Sequence, residues 1–407
     1  MSELIHRQSE ALRPYLSALQ TRALIVGVVG LLATAAAYTV DQEQFFRSYL
    51  LGYIYWFSLT GGCLIILLIH QAAGGNWGFA IRRLLEAGTR TLPLMAVLFI
   101  PILLGMHDLY HWTHDAPDDK ILQQKLPYLN STFFVIRAVA YFLIWGLLIY
   151  LLNRWSLAQD STEETWPTRR MQLLSGPGIV IFALTMTLAS VDWLMSLEPH
   201  WFSTIYSVIY MVGQALLTWA FMIIVGTKLA QREPLNKVLT NDRLRDLGTF
   251  ALACVMLWAY TSFSQLLIIW SGNLPEEITW YMTRLKGGWL AVGIILVLLH
   301  FGLPFLLLIS ARIKSRIPIL VGIASGLMIM RLVELFWITA PAFAGAHGAG
   351  DGAHVAAGLP HWQDLVIPIG IGGIWVAFFF FQLKRRPLVA SNDPRFADLL
   401  AGDDNHG

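Results

Sequence analysis

The chain has 407 residues, is 56% hydrophobic and 13% charged, and has a mean hydropathy of +0.58. Soluble domains carry about 25% charged residues, so this composition excludes an ordinary soluble globular protein. A net charge of +2, spread over short loops, gives no nucleic-acid footprint.

Apolar runs of about 18 residues or more, each enough to cross a hydrocarbon core, recur along the whole sequence. Ten spans are predicted, at 23–40, 48–70, 91–110, 131–152, 173–194, 204–226, 248–270, 287–310, 317–340 and 364–383. Only helices and closed barrels satisfy their backbone in lipid, and runs this continuous are helices. The expected fold class is therefore all-α and polytopic.

Residues 1–22 carry Glu3, Arg7, Glu10, Arg13 and Arg22, an amphipathic lead-in to a first span read as part of the mature chain. Gly75–Arg90 is predicted to be a short interfacial helix, with Trp77, Phe79, Ile81, Leu84 and Leu85 opposite Arg82, Arg83 and Glu86. The Gly/Ala-rich stretch from Ala340 to Trp362 is predicted to be a loop. Its His347, His354 and His361 have no regular spacing and are read as solvated rather than metal-binding. Beyond Arg386 the tail is polar. Twenty-one Lys and Arg residues fall on one side of this topology and five on the other, which predicts both termini in the cytoplasm.

The predicted divisions are a lead-in with the first span (1–47), a four-helix bundle of spans 2–5 (48–194), a second of spans 6–9 (195–340), an outer loop with the last span (341–383), and a cytoplasmic tail (384–407). Both bundles run in the same sense, as in a parallel repeat.

Charges inside spans are costly, so each asks for a reason. His107, Asp108 and His111 end span 3, Arg137 lies two turns into span 4, and Asp192 ends span 5. With Glu198 and His200 they can converge at the outer edge of the first bundle. His107 and His111, at i and i+4, are expected to share a helix face, and Arg137 and Asp192 to form a buried pair. Span 9 carries Arg331 and Glu334 at i, i+3, readable as a self-paired salt bridge or as a proton-relay station. His300, beside Gly302 and Pro304, is either a satisfied core histidine or a proton carrier. His70 closes span 2 and marks a candidate inner exit. No two histidines on different spans share a depth, which argues against a b-type haem. The two cysteines, Cys63 and Cys254, lie in apolar spans without CxxC or CxxCH. The chain alone therefore neither ligates an iron–sulfur cluster nor attaches a c-type haem.

The motif DWLMSLEPHWFSTIY (Asp192–Tyr206), with KLPYLNSTFFVIRAVAYFLIW (Lys125–Trp145) and MHDLYHW (Met106–Trp112), resembles the membrane subunits of bacterial alternative complex III. These are members of the wider NrfD/PsrC-like group, and the resemblance covers spans 2–9. The length and short tail are more similar to the ActF-like subunit than to its quinol-binding ActC-like paralogue.

The resemblance implies a bacterial inner-membrane subunit of a quinol:electron-acceptor oxidoreductase, giving scaffold and a proton pathway. It implies quinol or menaquinol as substrate, with haem and iron–sulfur centres only in partner subunits. The implied partners are the paralogue, an iron–sulfur/molybdopterin-like subunit, c-type cytochrome subunits, membrane lipids and a terminal oxidase, with no nucleic acid. Proton-pathway candidates are His70, His107, Asp108, Arg137, Asp192, His300, Arg331 and Glu334. In the ActC-like alternative, His107, Asp108, Arg137, Asp192, Glu198 and His200 would form a quinol site at the outer ends of spans 3–5. A stand-alone secondary transporter is the second alternative. No catalytic or metal-ligating residue is assigned.

Overall fold

A computed structural model describes residues 8–114, 117–343, 359–390 and 392–396. The described chain is 83% helical and contains no strands. Ten helices are long and apolar enough to cross a membrane: α1 (Gln8–Val40), α2 (Gln42–Ala73), α3 (Asn76–Leu104), α4 (Ser131–Gln159), α5 (Trp166–Leu197), α6 (Tyr206–Leu229), α7 (Asn241–Gly272), α8 (Gly287–Leu308), α9 (Ile317–Phe343) and α10 (Gln363–Leu383). The chain is a polytopic helical membrane protein.

Most helices extend beyond the predicted spans. The lead-in is not a separate element, because α1 begins at Gln8 and runs unbroken to Val40 apart from one turn residue. A helix that has started in polar surroundings continues into lipid, since stopping would expose backbone groups.

The centre of the protein is α2. It packs on α3, α5, α6, α9 and α10, and most of its residues are buried. It has no polar stripe, which is the pattern of a helix surrounded on all sides. Its small residues decide how close the neighbours come. A Cβ on Gly62 would fall 2.1 Å from Thr218 Oγ1 and 2.5 Å from the Gln214 carbonyl, so α2 and α6 cross with their backbones nearly touching. Thr60 joins two more neighbours, bonding Thr91 at 2.7 Å and accepting from Trp375 Nε1 at 3.0 Å. Helices α4 and α5 pack on each other beside α2, while α7 and α9 pack on α6.

A separate pair, α1 and α10, flanks this body. Gly27 and Gly30 face Gly370 and Gly373, and a Cβ on Gly30 would lie 2.3 Å from Gly370 Cα. The opposite side of α1 presents Ile25, Val29 and Leu32, each more than half exposed, as a lipid-facing surface.

Two interruptions shape the interior. Helix α3 is broken at Arg90–Thr91 and again at Phe99, each break followed within two residues by a proline (Pro93, Pro101). In α8 the segment Leu296–Gly302 is π-helical. Pro304 explains it: its ring cannot accept an α-helical approach of the carbonyl four residues back, which belongs to His300.

Replacing Gly30 by Leu should drive α1 off α10 and cost roughly 1–3 kcal/mol, as overpacking does. A lower midpoint in a fluorescence-detected thermal melt, with Val29→Leu on the exposed side unchanged, would show it.

Candidate functional site

Arg137 lies on the second turn of α4, and Asp192 lies near the far end of the antiparallel α5. Asn130 starts α4 by accepting the Phe133 N–H at 2.9 Å. Arg137 Nε and Nη2 each donate at 2.8 Å to the two Asp192 oxygens, and Tyr141 donates to Oδ2 at 2.8 Å. Arg137 Nη1 donates to the Tyr128 carbonyl at 2.8 Å, and the Tyr128 ring lies 3.9 Å from the guanidinium. Asp192 is fully buried, and Trp193 beside it packs among Phe57, Phe99 and Trp145. The expected buried pair is present. Its bonding is saturated, which is what a buried ion pair requires.

The other outer candidates do not join that pair. Glu198 accepts from Arg284 Nη2 at 2.9 Å and Nη1 at 3.4 Å. Arg284 is completely buried, stacks on Trp280 at 3.7 Å and donates to the Ile338 carbonyl at 2.8 Å. His200 is exposed and bonds Asp119 Oδ2 at 2.5 Å. Lys125 donates to the Pro199 carbonyl at 2.5 Å.

His107 and His111 do not share a helix face. The helix Met106–Leu109 ends at an extended Tyr110, and a 3-10 turn over His111–Thr113 follows. The His107 ring stacks instead on His114, at 3.9 Å between centroids. Asp108 is reached by Gln42 Nε2 at 3.5 Å. Six of the seven outer candidates thus separate into five pairings, because the turn spreads its polar groups over several neighbours.

The second bundle holds a deeper cluster. Glu334 Oε2 is bonded by Arg331 Nη1 and stands 3.3 Å from His300 Nε2, and Trp258 Nε1 donates to Oε1 at 2.6 Å. Arg331 also reaches the Tyr210 carbonyl at 3.4 Å. His300 and Arg331 are wholly buried and Glu334 almost so. His300 lies 13 residues into α8, about 20 Å along it at 1.5 Å per residue, so the cluster is well inside the span. His300 Nδ1 has no hydrogen-bond partner among the described residues. Of the two readings of Arg331 and Glu334, the self-paired salt bridge is present, and a histidine adjoins it. Trp258 and Tyr210 were not foreseen, since an aromatic residue in a span carries no mark of its partner.

Beside this cluster lies a cavity of about 780 Å³, lined by α6, α7, α8, α9 and the helix Pro275–Arg284. Its wall is overwhelmingly apolar, and Glu334 is the sole ionisable carboxylate on it.

A third cluster was not foreseen. The segment Asn76–Thr89, expected at the membrane surface, is buried from Gly78 onward. Arg82 bonds Glu86 at 2.9 Å, Asp393 and Ser156, and Arg83 bonds Glu86 at 2.7 Å and Asp160. Arg386 donates to Asn153 Oδ1 at 2.9 Å, and Arg395 donates to Gln71 Oε1 at 3.0 Å. The charges that looked like a wetted face are therefore covered by the returning C-terminal segment, whose Leu388, Val389 and Ala390 are buried. Only pairing across more than 300 residues reveals this.

Burial alone would raise the Asp393 carboxyl. Hydrogen bonds from Arg395 and the charge of Arg82 outweigh it and hold Asp393 below the usual carboxylate range. His70 is also buried here, against Trp77, with neither ring nitrogen hydrogen-bonded among the described residues.

Among the described residues, no group of three or more His, Cys, Asp or Glu side chains is placed to hold a metal. His361 uses its backbone N–H to cap Asp364 Oδ2 at 2.8 Å, and His347 and His354 lie outside the described residues. No family model matches this sequence, and no curated protein matches it.

Asp192→Ala should cost about 3–5 kcal/mol, because it leaves Arg137 buried and unpaired. The double change Arg137→Met with Asp192→Leu should cost less than the sum of the single changes in a thermal-melt cycle. Since Asp393 is depressed in the folded state, its stabilisation is complete above the unfolded carboxylate value near 4 and is lost as pH falls below it. Asp393→Asn should therefore flatten the acid limb of stability measured against pH.

Proposed function

We propose that this chain is a proton-handling, scaffold subunit of a quinol-oxidising respiratory complex in the bacterial inner membrane, of the alternative complex III kind. In this reading it is ActF-like, with its termini in the cytoplasm. The observation that carries the proton-handling role is the His300–Glu334–Arg331 cluster. An imidazole with a spare nitrogen touches a carboxylate deep in a span, and such groups persist in lipid when they serve ion or proton movement. Trp258 and Arg331 hold the carboxylate in one orientation, and His300 is the adjoining side chain whose ring nitrogens have no hydrogen-bond partner among the described residues. His70, buried near the end of α2 and without a hydrogen-bond partner among the described residues, gives the first bundle a second station.

Metal centres and electron transfer belong, in this proposal, to iron–sulfur and c-type cytochrome partners, with an ActC-like paralogue beside this chain. The quinol site at Arg137 and Asp192 is the weaker reading, because every Asp192 oxygen is already bonded. The secondary-transporter reading is favoured by one feature, the π-helical segment at His300, since broken helices near the mid-membrane are typical of transporters.

Glu334→Gln in the purified complex, reconstituted in vesicles with a pH-sensitive dye, should lower proton translocation by roughly a hundredfold, the lower end of what a positioned proton-transfer group contributes. Quinol oxidation should keep most of its rate. Equal losses of both, or none, would sink the proton route. Electrogenic uptake of a solute by the isolated chain would favour the transporter.

A further inference from the structure

The cavity between α6, α7, α8 and α9, which has Glu334 on its wall, carries chemistry of its own beyond the proton route. Its volume of about 780 Å³ falls in the range of small-molecule sites. Its lining includes Tyr260, Phe263 and Val297, each 60% exposed or more, so the cavity opens on the lipid-facing side of α7 and α8. A ligand entering there comes from the bilayer.

Two nearly buried tyrosines, Tyr206 and Tyr281, bring hydroxyls to the cavity lining. Tyr206 is 5% exposed and lines the cavity. Tyr281 is 7% exposed and accepts from Gln265 Nε2 at 3.1 Å, which leaves its own proton free to donate. A hydroxyl facing an apolar cavity gains a hydrogen bond when an oxygen-bearing ligand enters. Neither Lys, Arg nor His lines the cavity, and the one ionised group on its wall, Glu334, is an anion. A phosphate head group would therefore meet repulsion and no counter-charge.

We infer that this cavity is a binding site for a neutral membrane amphiphile, a prenyl or acyl chain ending in a hydroxyl or carbonyl head. The chain lies along the apolar wall, and the head accepts hydrogen bonds from Tyr206 and Tyr281. This inference stands apart from the proton-route proposal, since neither tyrosine belongs to the His300–Glu334 cluster.

The test is lipid extraction and mass spectrometry of the full chain, purified in its native assembly, with three variants. Gly293 lines the cavity, and a Cβ there meets only Trp337 Nε1 at 3.7 Å, so Gly293→Leu fills the site without a backbone clash. Ala259→Leu does the same from α7 and serves if the first variant folds poorly. The wild type is expected to retain a neutral prenyl or acyl lipid near one per chain, and both filling variants to lose it. Tyr206→Phe with Tyr281→Phe should lower retention about tenfold, the effect of losing roughly one net hydrogen bond or two. The mass separates a prenyl from an acyl source. Equal retention in wild type and Gly293→Leu, phospholipid alone, detergent alone, or a partner helix seated in the cavity would each overturn the inference.

Discussion

Every ionised group in the body of this protein must find its counter-charge inside the protein, because lipid offers none. That requirement organises the structure. Arg137 closes on Asp192, Arg284 on Glu198, Arg331 on Glu334, and Arg82 with Arg83 on Glu86, Asp160 and Asp393. Arg137–Asp192, Arg284–Glu198, Arg82–Asp393 and Arg83–Asp160 each join segments that the apolar contacts alone would leave free to slide, since side chains of similar size can slip past one another in a greasy interface. A bidentate carboxylate–guanidinium contact permits one register.

Arg137–Asp192 has both carboxylate oxygens bonded, whereas the Arg82 network leaves Arg83 Nε and Asp160 Oδ2 without a hydrogen-bond partner among the described residues. Among the described histidines, His300 combines deep burial, a carboxylate at 3.3 Å and ring nitrogens without a hydrogen bond, and it sits on the one π-helical segment of the described spans. Pro304 withdraws an α-helical bond there, so the backbone irregularity and the titratable side chain have a common cause.

The glycines set the architecture on which this depends. Gly62 lets α2 and α6 meet at backbone distance, and Gly30 with Gly370 does the same for α1 and α10. Between lipid-exposed helices there is no hydrophobic driving force, so close van der Waals approach holds them. The cavity beside α7 and α8 is the converse case. There the helices stay apart, and large exposed side chains leave room for a ligand drawn from the bilayer.

The number of helices, their all-α class and the Arg137–Asp192 pair were legible in the sequence, because hydropathy is a local property and a charge in an apolar run demands a partner. The grouping of the outer residues was not. His107 and His111 look like helical neighbours until Tyr110 breaks the helix, and Glu198 chooses Arg284, which ends a short helix 86 residues on. Segment 76–89 reads as amphipathic, but amphipathicity says only that one face is polar. Whether water or a distant Asp393 satisfies that face depends on where the C-terminal segment returns. The sequence by itself therefore determined which groups needed partners and which segments lie in lipid. The tertiary structure decided which partners they took and where a cavity was left, because those depend on contacts between residues far apart in the chain.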